Sequence, residues 1–184
     1  MELPISPIIT KLVIHKQIIF KNGKFEILGQ SVLIMPSKFI PLLLKQYPGS
    51  KAILYEFCKM AGKEFGEGLR SNFGLSADKL RKTFEEVFNI AGWGTAIFHK
   101  LDYDNGIAHV KLLNSTIAKQ VKSKQPVDHA VRGFFAAGGS EIFGKEAECI
   151  ETQCSSAGKD HCEFVVGSFD FLSKNYKKFV NSQL

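Results

Sequence analysis

One carboxylate and two thiols, Glu151, Cys154 and Cys162, stand close together near the end of this 184-residue chain. Their spacings are three and eight residues, and Gly158 lies in the stretch between the cysteines. Two thiols and a carboxylate that converge on one point can hold a divalent metal, and zinc suits such a donor set. The cysteine spacing is wider than in a CxxC pair. It fits a loop that leaves one strand and returns on the next. Without a metal, the same cysteines read as two small buried apolar residues.

Strand geometry constrains the metal reading. In a regular strand, residues three apart point to opposite faces. Glu151 and Cys154 can reach one ion only if the strand ends or bulges between them. Cys149 shares a face with Glu151 and reads as core. Cys58 lies on the apolar face of a helical segment and reads as packing.

The elements that must position these residues are legible from periodicity. Asn22-Gly23 between Ile18–Phe20 and Phe25–Ile27 predicts a β-hairpin. A short strand is expected at Val32–Met35, then a short helix capped by Ser37 and running through Leu44. Leu54, Cys58, Ala61, Phe65 and Leu69 recur at helical spacing and predict a helix over about 50–70. Ser76 is the expected N-cap of a helix reaching Ile90. Strands follow on either side of Asp104-Asn105-Gly106. Val127, Ala130, Val131, Phe134, Phe135, Gly138 and Ile142 form one apolar stripe. Strands at about 146–154 and 161–167 and a terminal helix from Phe169 to Val180 complete the order. Hairpins alternating with helices predict an α+β fold, an antiparallel sheet packed against helices.

Composition narrows the function classes. Hydrophobic residues make up 45% and charged residues 23%, as in ordinary globular proteins. The 16 phenylalanines predict an aromatic core or cavity. The net charge of +6 comes from scattered lysines, densest at Lys119, Lys122 and Lys124, and reads as solvated surface. No nucleic-acid-binding motif, P-loop, nucleophile elbow or dinucleotide fingerprint is present, so no catalytic residue is assigned. The opening residues lack the basic and apolar regions of a signal peptide, and no stretch reaches transmembrane length. A cytoplasmic chain with free or metal-bound thiols is expected.

The run Glu151…Cys154, Gly158, Cys162-Glu163-Phe164 resembles the signature of the 4-vinyl reductase domain family. The resemblance extends upstream to Pro126–Gly138, where the family carries a cysteine and this chain carries Asp128, with His129 beside it. The resemblance implies an α+β ligand-binding fold shared with heme-based nitric-oxide sensors and subunits of the Golgi tethering complex. Residues 46–184 would form that domain, and residues 1–45 would add a hairpin and a short helix. It implies a structural zinc held by Asp128, Glu151, Cys154 and Cys162, with His129 and His161 as alternatives for the fourth ligand.

It also implies a small apolar or aromatic ligand near the metal. Phe88, Trp93, Phe98, Phe134, Phe135 and Phe164 are candidates to line its pocket, and His99 or His109 to orient it. The domain would act as a binding or sensing module, as a homodimer, without membrane or direct nucleic-acid partners. Two further readings are an accessory vinyl reductase of tetrapyrrole metabolism and an assembly subunit acting through protein contacts.

Overall fold

The computed structural model describes residues 14–184. The chain divides into two compact units, the first ending at Pro36 and the second running Ser37–Leu184. The first holds a three-stranded antiparallel sheet of β1 (Ile18–Lys21), β2 (Lys24–Ile27) and β3 (Gln30–Val32). Asn22 and Gly23 both have positive φ, 53° and 74°, as a hairpin turn twisted with its strands requires. The third strand lies earlier than its apolar run suggests. A second tight turn at Leu28-Gly29 sets Gln30 against Ile27, and β2 offers no partner beyond the Phe25–Val32 pair except Lys24.

The second unit contains a four-stranded antiparallel sheet in the order β4-β5-β7-β6. Its strands are β4 (Thr95–Asp102), β5 (Ile107–Leu113), β6 (Glu148–Gln153) and β7 (Cys162–Gly167). Its helices are α1 (Phe39–Gln46), α2 (Ser50–Phe73), α3 (Ala77–Ile90), α4 (His129–Phe143), α5 (Phe169–Asn175) and α6 (Lys177–Gln183). Thus an antiparallel sheet does pack against helices, as the alternating order predicts.

Three elements depart from expectation. Helix α1 starts after Lys38 rather than at Ser37. The terminal helix is two, because Tyr176 leaves helical geometry (φ −135°, ψ 32°) and packs its ring against Phe171. Helix α4 is buried on nearly every side rather than along one stripe. It lies between the sheet and the helical layer of α2 and α3. Small residues permit this. A Cβ on Gly62 would come within 2.7 Å of the Ala137 Cβ, and one on Gly133 would overlap the Tyr55 carbonyl.

Pleating sorts the strand residues. Ala108, Val110 and Leu112 of β5 pair with Val166, Phe164 and Cys162 of β7, and all six are buried in the main core. The opposite face of β6 and β7 presents Ile150 and Val165 to Leu172 and Val180, which form a second small core under α5 and α6.

Candidate metal centre

Asp128, Glu151, Cys154 and Cys162 converge, with one potential ligand atom from each lying within 4.8 Å of all the others. Asp128, Glu151 and Cys162 are fully buried, and Cys154 is 5% exposed. Each arrives from a different place: Asp128 precedes α4, Glu151 lies in β6, Cys154 follows β6, and Cys162 opens β7.

Strand pairing explains how Glu151 and Cys154 share a face. Glu151 pairs with Phe164 and Gln153 with Glu163, so Thr152 is an extra residue, a β-bulge. Counting on from Gln153 brings Cys154 level with Cys162. The bulge converts a three-residue spacing into an effective two. Side chains hold the edge there. Gln183 of α6 accepts a hydrogen bond from the Glu151 N–H (2.8 Å) and donates one to the Glu151 carbonyl (2.9 Å). This amide stands in for a missing neighbouring strand.

Asp128 occupies the N-cap position of α4, yet its side chain does not cap the helix. Its Oδ1 accepts from Ser115 Oγ at 2.8 Å, while its backbone N–H donates to Glu151 Oε2 at 3.2 Å. The remaining oxygens, Asp128 Oδ2 and Glu151 Oε1, are buried without a partner. Unpaired buried carboxylate oxygens cost free energy unless a cation or donor meets them. The thiols are supported from the intervening loop. Ser155 N–H donates to Cys162 Sγ at 3.3 Å, and Ser156 Oγ lies 3.0 Å from Cys154 Sγ.

The electrostatics are those of a crowded anionic site. Burial lifts the Asp128 carboxyl to about 6. Burial, reinforced by the neighbouring Asp128, lifts Glu151 as well. A hydrogen bond from Cys162 lowers the Cys154 thiol to about 5, and the same bond raises Cys162. Of the alternative ligands, His129 turns its Nδ1 to Arg132 Nη2 (3.2 Å), and His161 pairs with Glu163 (3.0 Å).

The six aromatic candidates form one group. Phe135 lies 4.9 Å from Phe88, 5.1 Å from Phe164 and 6.2 Å from Phe98 between ring centroids. Trp93 joins Phe134 at 5.2 Å and Phe88 at 6.1 Å. His99 and His109 are neighbours (5.9 Å), but the core-facing residues of β5 are Ala108 and Val110, so His109 lies on the other face of the sheet. Sequence reasoning missed Ser115, Arg132 and Gln183. Each acts through the fold, and none sits in a motif.

A family model for the 4-vinyl reductase domain matches residues 108–168, a segment that contains all four clustered residues. The chain carries a 4-vinyl reductase domain. Three solved structures are similar in fold to this 4-vinyl reductase-type chain. The phenol-responsive sensory domain of the transcription activator PoxR is 17% identical, with 90% of this chain and 92% of that one covered and a TM-score of 0.70. A trafficking protein particle complex subunit 3 from Naegleria fowleri, covalently bound to palmitic acid, is 17% identical over 71% and 88%, with a TM-score of 0.52. A vinyl-4-reductase family protein from Methanocaldococcus jannaschii is 25% identical over 73% and 82%, with a TM-score of 0.51. None of the curated proteins matches the chain.

Proposed function

We propose that this 4-vinyl reductase-type chain is a small-molecule-binding sensory module, stapled by one structural zinc ion on Asp128, Glu151, Cys154 and Cys162. The observation that carries the metal reading is the pair of unpartnered buried oxygens, Asp128 Oδ2 and Glu151 Oε1, in a cluster with two thiols. Four protein donors complete a tetrahedron and leave no open position for water or substrate. The ion would tie the β6–β7 hairpin to the start of α4, and its charge would favour the ionised carboxylates that burial alone disfavours.

The ligand would be small and apolar or aromatic, taken up at the ring group around Phe135. The aromatic content of that group supports this, as does the fold likeness to a phenol-responsive sensor and to a subunit that binds palmitic acid. Self-association is supported by Ile53, Phe57 and Met60, which are 70%, 67% and 63% exposed and follow one face of α2.

Metal content by inductively coupled plasma mass spectrometry, after a chelator rinse, tests the centre. About one zinc per chain is expected, lost in Cys154→Ser. Metal in neither protein would overturn the centre. Phenol titration followed by Trp93 fluorescence tests the ligand arm, and an unchanged spectrum would count against it. For self-association, sedimentation should give a dimer that Phe57→Glu converts to monomer.

A further inference from the structure

A cavity of about 650 Å³ opens in the second unit among α1, the first turn of α2 and the chain leading into α4. Its volume is typical of small-molecule sites, and none of the six clustered aromatic residues lines it. Lys38, Lys45, Lys51 and Lys122 surround it, and no aspartate or glutamate does. Among the described residues, none of these lysines forms a salt bridge. Four ammonium groups around one concavity focus a positive potential into it.

The lining behind the lysines is apolar, with Leu44, Val121 and Val127 among its residues. His129 also lines it and is only 6% exposed. Arg132 Nη2 donates to His129 Nδ1, so the neutral imidazole carries its proton on Nε2 as a further donor. The combination of cationic rim, apolar wall and one buried donor matches a molecule with an apolar body and one anionic head.

We infer that this cavity binds a small anionic amphiphile, a single-chain carboxylate or phosphate monoester, at a place separate from the aromatic group. A bilayer surface offers the same head chemistry. The buried His129 and Val127 favour a molecule that enters the cavity over a plane that rests on its rim.

Isothermal titration of the full chain tests this, with dodecanoate and dodecyl phosphate below their micellar concentrations. Dodecanol and inorganic phosphate serve as the two halves. One-to-one binding of both amphiphilic anions is expected, at least about tenfold tighter than either half. A Lys51→Gln/Lys122→Gln pair should weaken it by about tenfold. Val121→Trp should abolish it while leaving zinc content and the phenol response intact, which separates this site from the proposed aromatic one. Should Val121→Trp fold poorly, the lysine pair remains decisive. Three outcomes overturn the inference: dodecanol binding as tightly as dodecanoate, binding indifferent to the lysines, or binding to phosphatidylserine vesicles alone.

Discussion

Asp128 is where the residue types and the site chemistry meet most sharply. Its carboxyl is lifted to about 6 by burial, and Glu151 is lifted beside it. An acid whose folded value exceeds its unfolded one stabilises the fold at low pH, and that contribution is lost as pH rises through the folded value. Metal-free protein should therefore lose stability between about pH 4 and 6, where zinc gains ligands. The difference in melting temperature between zinc-loaded and stripped protein should widen from about pH 5 to 7, measured by calorimetry. A constant difference would refute the ionised-ligand picture. Replacing the hard oxygen by sulfur, Asp128→Cys, should tighten zinc by about tenfold or more, read by competition with a chromogenic chelator. The motif made Glu151, Cys154 and Cys162 legible in the sequence. Asp128 was legible only through the resemblance, because an acid at a helix start is common for reasons unrelated to metals.

Among the elements, the α2–α4 contact and the Gln183 clamp are the most exposed to test. Gly133→Ala puts a methyl into the Tyr55 carbonyl, where backbone cannot yield cheaply. It should cost about 1–3 kcal/mol in urea unfolding. Gln183→Ala removes both hydrogen bonds to the Glu151 backbone, and should weaken zinc by about 10–100-fold with little loss of helix content. Helix and strand existence was readable throughout because each long element keeps its period. The all-round burial of α4 was not, since a stripe of apolar positions does not reveal that glycine and alanine admit a second helix on the other side. The break at Tyr176 was likewise hidden in a continuous polar-apolar alternation.

For the molecule as a whole, the second unit has its own core and contains every residue of the cluster and of the cavity. A fragment starting at Ser37 should unfold cooperatively and retain its metal, as checked by circular dichroism and metal analysis. No helix among the described residues is long and apolar enough to cross a membrane. The charge excess visible in composition read as diffuse. Folding gathers Lys38, Lys45, Lys51 and Lys122 from separate stretches, which no local window of sequence could register.

The bulge at Thr152 gives the last strand of the site a counting rule. Between Glu151 and Cys154 the chain uses two residues where a regular strand would use one. Deleting Thr152 would leave a regular strand with the thiol still on the side of the carboxylate. Adding a further residue would ask the same edge to absorb a second extra position or turn the thiol to the opposite side. Shortening and lengthening this segment are therefore unequal events: the chain tolerates a loss here and is intolerant of a gain.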